Sequence, residues 1–160
     1  MQNNYQNAYI VNAIRTPVGK ARGAFAAVRP DDLLSFILQQ LLSENPSINA
    51  EKIDDVIVGC AMPEAEQGLN VARISALLAG YPQSVAGVTV NRFCASGLQS
   101  IAYAADKIRL GEADIMIGAG VESMSLIPMS GHNPAAVFRA IWGRQIVLDK
   151  CPDSAAEFAY

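Results

Sequence analysis

Residues 86–119 read AGVTVNRFCASGLQSIAYAADKIRLGEADIMIGA. The first six, AGVTVN, are short, apolar and β-branched, as a strand requires. Residues 96–110 then repeat apolar side chains at helical spacing. Leu98, Ile101, Ala102, Ala105 and Ile108 are expected to form the face that packs, and Gly111 is the natural cap at the C-terminal end. Residues 113–119 (ADIMIGA) give a second strand. Strand, helix and strand at this spacing imply a βαβ unit and a parallel pairing. The same alternation runs upstream. Residues 53–61 (IDDVIVGCA) are apolar enough for a strand covered on both faces. Residues 69–79 are an Ala-rich helix closed by Gly80 and Pro82. An earlier helix begins at Asp31 or Asp32, where carboxylates suit unpaired N–H groups, and ends at Asn45-Pro46. Its stripe is Leu33, Ile37 and Leu41 beside Leu34, Leu38 and Leu42. Residues 8–14 (AYIVNAI) are expected to be a first buried strand, ended by Arg15-Thr16-Pro17. Residues 18–30 form a loop, with Gly19, Gly23 and Pro30 as turn signals and Lys20, Arg22 and Arg29 as positive charge. The expected fold class is therefore α/β: a βαβαβαβ half-domain, with a mostly parallel sheet and helices on its faces.

The pattern dissolves after Met124. Residues 125–135 read as loop, and residues 136–160 contain an apolar segment without consistent caps or punctuation. The expected organisation is a core over residues 1–124 and an atypical tail over 125–160, with residues 136–160 packing poorly on the core.

Composition narrows the function classes. The apolar share is 51% and the charged share 17%, and 12 Lys and Arg against 15 Asp and Glu leave a formal charge of −3. No basic run suggests nucleic acid or a membrane surface, so neither is expected as a partner. No stretch has the length of a spanning helix, and the polar start of the chain lacks the regions of a signal peptide. A cytoplasmic location is the expectation. The three cysteines, Cys60, Cys94 and Cys151, are odd in number and irregular in spacing, which suits neither a disulfide framework nor a metal site.

Cys94 is the candidate for chemistry, because it falls where a strand turns into an amphipathic helix. Unpaired N–H groups at a helix start carry positive partial charge, which favours thiolate over thiol. They can also stabilise an oxyanion on an acyl group carried by the sulfur. Ala95, Ser96 and Gly97 are small and leave room for a substrate. Position alone equally allows a small buried hydrophobe at a strand end.

The neighbouring residues separate these readings. Asn91-Arg92-Phe93-Cys94-Ala95-Ser96-Gly97-Leu98-Gln99 resembles the nucleophile motif of the thiolases. Ala13-Ile14-Arg15-Thr16-Pro17-Val18-Gly19 resembles that family's N-terminal signature. Val58-Gly59-Cys60-Ala61, Gln67-Gly68, Asn70-Val71-Ala72-Arg73, Gly111-Glu112-Ala113-Asp114 and Gly118-Ala119-Gly120-Val121-Glu122-Ser123-Met124-Ser125 follow in the family's order, over roughly residues 8–134. The resemblance implies an acyltransferase that moves acyl groups between a 3-ketoacyl-CoA and coenzyme A. It implies Cys94 as the catalytic residue that forms an acyl-enzyme, with its backbone N–H in an oxyanion hole. Coenzyme A enters as substrate, and no permanently bound cofactor or metal is implied. Cofactor-binding residues are not assigned. Glu64-Ala65-Glu66-Gln67-Gly68 leans towards the thiolases of fatty-acid β-oxidation.

The resemblance further implies a His, an Asn and a second Cys from a C-terminal half, and a loop domain inserted in the first half. The chain is expected to stop inside that loop domain, so it is read as truncated and inactive alone. Cys151 lacks the glycine-rich setting of the second Cys. His132, which follows Ser130-Gly131, is expected to be solvated or locally bonded. Cys60 is expected to be structural. Glu122 is expected to be a buried carboxylate bracing the loops around Cys94. A homo-oligomer or pairing with a C-terminal half is expected. The rival readings are a catalytically silent pairing subunit and a ketoacyl-synthase-like condensing enzyme, the latter disfavoured by Cys94-Ala95-Ser96-Gly97-Leu98.

Overall fold

The computed structural model describes residues 5–129 and 131–132. The segment from 136 to 160, with Cys151, lies outside them. The first helix, α1 (Pro30–Glu44), starts with proline at its first turn, where a missing N–H costs nothing. Asp31 and Asp32 follow in the same turn. Arg29 grips the Asp31 carboxylate from two nitrogens, at 3.0 and 2.8 Å. Asn45 ends the helix, its side chain donating to the Leu41 carbonyl at 2.7 Å.

Three strands follow: β1 (Asp55–Gly59), β2 (Ala86–Val90) and β3 (Met116–Gly120). They form a parallel sheet in the order β2-β1-β3. Two helices connect them. α2 (Val71–Leu78) joins β1 to β2, and α3 (Ser96–Leu110) carries the chain from β2 across to β3. The side chain of Asn70 caps α2 by accepting the Arg73 N–H at 3.2 Å, and it donates to the Gly87 carbonyl on β2 at 2.7 Å. α3 ends at Gly111 in the left-handed conformation, φ 74°, which glycine adopts without a Cβ clash.

Alternation along the strands separates two faces. Val56, Val58 and Ile117 turn towards α1 and α2 and join Leu34, Leu38, Val71, Ala72, Ala76, Tyr81 and Val85 in the core. The buried Tyr81 hydroxyl donates to the Leu38 carbonyl at 3.0 Å. Asp55, Gly59, Gly118 and Gly120 turn towards α3. A Cβ at Gly59 would overlap the Ser96 carbonyl group, and one at Gly118 would lie 2.9 Å from the Ile101 Cα. α3 therefore rests almost directly on the sheet backbone.

That close approach corrects the expected face of α3. Its buried residues are Ser96, Ser100 and Ala104, while of the expected face Leu98, Ile101 and Ala102 are exposed and Ala105 and Ile108 are half-buried. Only small side chains fit against a glycine-lined sheet, and the Ser100 hydroxyl is paired with the Ala119 carbonyl at 2.6 Å. Leu98 is 73% exposed and Ile101 44%. A second correction concerns residues 8–14, which carry no strand. A strand needs a neighbour for its N–H and C=O groups, and among the described residues no backbone pairs with this segment, whose Asn12 side chain donates to Glu44 instead. Tyr9, Ile10 and Val11 are exposed. The parallel α/β half-domain stands, with three strands among the described residues.

Candidate active site around Cys94

β2 ends at Val90, and α3 begins at Ser96 with Ala95 as its cap. The residues between them make one tight turn. The Asn91 side chain works in two directions: its carbonyl oxygen accepts the Phe93 N–H at 2.8 Å, and its amide donates to the Ala61 carbonyl at 2.9 Å. The first bond is the local turn that Asn forms with the residue two positions on. Phe93 is held at φ 48°, a conformation that side-chain-bearing residues rarely adopt. The Ala95 and Ser96 N–H groups turn back to the Arg92 and Phe93 carbonyls at 3.1 and 3.0 Å. Ser96, 3% exposed, locks the turn: its hydroxyl accepts the Arg92 N–H at 2.8 Å and donates to the Phe93 carbonyl.

Cys94 projects from this turn and is exposed, so the reading of a buried hydrophobe is set aside. Arg92 and Cys94 form an isolated backbone bridge within the turn. Gly97, three residues on, leaves open space, since a Cβ placed on it would meet nothing within 4 Å. An accessible thiol two residues before a helix start suits attack on a carbonyl and stabilisation of the oxygen that becomes negative.

A second layer sits behind the turn. Glu122, in the loop after β3, accepts the Ala61 N–H at 2.7 Å with one oxygen and the Gln67 amide with the other. Gln67, fully buried, also donates to the Met62 carbonyl at 2.7 Å and accepts the Ser123 N–H at 2.9 Å. Glu122 braces these loops as expected, but it is an exposed residue rather than a buried one. It sits at the rim, where both oxygens still find donors. Cys60 is 1% exposed. Burial, and then the negative charge of Glu122, pushes its thiol up to about 12, so it stays protonated and inert near neutrality. The His132 N–H bonds to the Glu64 carboxylate.

The structural reading of Asn91 and Gln67 was not drawn from the sequence. Asn91 had a local signal, an Asn at a strand end, where its side chain can bond the N–H two residues on. Gln67 had none, because its partners lie in separate loops. The Arg73 guanidinium bonds to the Val85 and Gln83 carbonyls and ties α2 to the segment that leads into β2. Among the described residues no three His, Cys, Asp or Glu side chains converge as metal ligands, and no helix is long and apolar enough to cross a membrane.

The profile described as "Thiolase, N-terminal domain" matches residues 8–156. The chain belongs to the thiolase family. The match extends past Pro134, where motif-by-motif correspondence in the sequence stops. This thiolase chain is 56% identical over 128 residues to a 3-ketoacyl-CoA thiolase of Bacillus subtilis, covering 79% of the chain and 32% of that protein. It is 49% identical over 133 residues to an Escherichia coli 3-oxoadipyl-CoA/3-oxo-5,6-dehydrosuberyl-CoA thiolase, covering 83% and 33%. The structure of the Bacillus anthracis acetyl-CoA acetyltransferase superposes with a TM-score of 0.70 at 35% identity, over 78% of this chain and 31% of that one. The chain thus spans about a third of the length of the relatives it matches.

Proposed function

We propose that this chain supplies the acyl-accepting part of a thiolase that cleaves 3-ketoacyl-CoA with coenzyme A, of the fatty-acid β-oxidation type. The observation that carries the reading is the exposed Cys94 thiol on a braced turn at the start of α3. The 3-ketoacyl-CoA thiolase of Bacillus subtilis supports the substrate class. In this reaction the Cys94 sulfur adds to the keto carbon. The bond from that carbon to the α-carbon breaks, and the acyl group remains on sulfur. The electron pair leaves with acetyl-CoA, which takes up a proton. The thiol of coenzyme A then adds to the acyl carbon, losing its proton, and the bond to Cys94 breaks. The Cys94 N–H would meet the developing oxyanion.

The proton transfers need an acid and a base, a role that no described side chain near Cys94 is positioned to take. We assign them to residues outside the described part, and expect negligible turnover from this chain alone. Residues 1–124 are the core half-domain in this reading, and 125–160 start the loop domain. The exposed Leu98 and Ile101 on α3 support association, with a second copy or with a C-terminal half.

Incubating the chain with a 3-ketoacyl-CoA or acetyl-CoA and mapping its peptides tests the proposal. The expected result is an acyl group on Cys94 and none on Cys60. Acyl groups on Cys60, or none on Cys94 at any exposure to thioester, would overturn it.

A further inference from the structure

Phe93, the residue before Cys94, is connected to the loop after β3 by three hydrogen bonds in series through Asn91 and Ala61. The Phe93 N–H is held by Asn91, Asn91 donates to the Ala61 carbonyl, and the Ala61 N–H is held by Glu122. Each link has ordinary geometry, at 2.8, 2.9 and 2.7 Å. Phe93, the residue before Cys94, sits at φ 48°. Such a conformation persists only where the surroundings over-determine it.

We propose that Glu122 is a positioning residue for Cys94, acting through Ala61 and Asn91 to hold the strained turn that presents the thiol. The carboxylate suits this place because it accepts twice, once from Ala61 and once from Gln67. Gln67 spends its remaining bonds on Met62 and Ser123, which fixes the loops that flank Glu122. Glu122 is therefore held from one side and holds the turn from the other. It touches neither the thiol nor a substrate in this role. The inference rests on Cys94 being the group that must be presented, but its geometry does not depend on which acyl group is carried.

The test is the rate of Cys94 alkylation by iodoacetamide in the full chain, read by peptide mapping, with protection of Cys60 as the sign of an intact fold. Glu122→Ala and Asn91→Ala should each slow Cys94 alkylation on the order of tenfold, since small losses of orientation cost large factors in rate. The double variant should be no slower than either single one, because both cut the same series. Glu122→Gln keeps an oxygen that accepts from Ala61 but loses the acceptor for Gln67, and should recover part of the rate lost in Glu122→Ala. A purely structural role would make the two losses multiply and would expose Cys60. Should Glu122→Ala expose Cys60, Glu122→Gln and Asn91→Ala decide. An unchanged rate in Asn91→Ala, or a Glu122→Gln rate no faster than that of Glu122→Ala, overturns the proposal. The readout needs no acyl transfer. Wild-type chain that alkylates at Cys94 but takes no acyl group would sink the proposed function and leave this inference standing.

Discussion

On one face of the sheet, Val56, Val58 and Ile117 meet Leu34 and Leu38 of α1 and the apolar side of α2. On the other, Gly59, Gly118 and Gly120 meet the backbone of α3. The first face is held by buried volume. The second is held by close approach, with small residues and polar pairs such as Ser100 to Ala119 in place of large side chains. The difference bears on Cys94. A bulky, adaptable contact under α3 would let its first turn shift. Backbone resting on backbone leaves little room to move, because interiors pack without slack. The helix that presents the thiol is seated on the less forgiving face.

The largest expected effect lies on the volume-filled face. Leu38→Ala removes a side chain that is 1% exposed, and should cost about 3 kcal/mol in urea unfolding, as transfer and cavity terms add. A cost near zero would mean that α1 is not part of the cooperative core. Next is Gly59→Ala on the close-approach face. One methyl group there meets the Ser96 backbone rather than a flexible side chain, and the expected loss is ~2 kcal/mol by overpacking. Tolerance of this change in thermal melts would break the contrast between the faces.

The pH dependence comes third. Burial raises the Cys60 thiol from 9.0 to about 12 and the Tyr81 hydroxyl from 10.0 to about 12. Both folded values lie above the unfolded ones, so the fold favours the protonated forms. Their contribution is complete below about 9 and is lost as pH rises towards about 12. Cys60→Ala should flatten the alkaline fall in melting temperature, and an equally steep fall would assign it to other groups. The smallest effect is expected at Leu98→Ser. Leu98 is 73% exposed, and the change should stay within about 0.5 kcal/mol. A larger loss would show that the outward side of α3 is covered in solution.

Much of this was legible before any coordinates. The helix from residue 96 to 110 and its Gly111 cap follow from spacing and from one glycine. The central strand follows from an unbroken apolar run, and the end of α1 from Asn45-Pro46. The turn of strand into helix at Cys94 was also readable, since punctuation of that kind is local. The errors share one cause. Leu98 and Ile101 have the pattern of a buried stripe, but periodicity says which residues share a side and not which side meets the sheet. Residues 8–14 have a strand's composition, but pairing belongs to the neighbour as much as to the segment.

The sequence by itself determined the α/β class, the order of elements, the family and the position of Cys94, because these depend on residue type and near neighbours along the chain. The tertiary structure alone decided that α3 lies on glycines, that Cys94 is open while Cys60 is closed, and that Asn91, Ala61, Glu122 and Gln67 form one braced unit. Those facts depend on contacts such as Ala61 with Glu122, 61 positions apart, where distance in the fold bears no relation to distance along the chain.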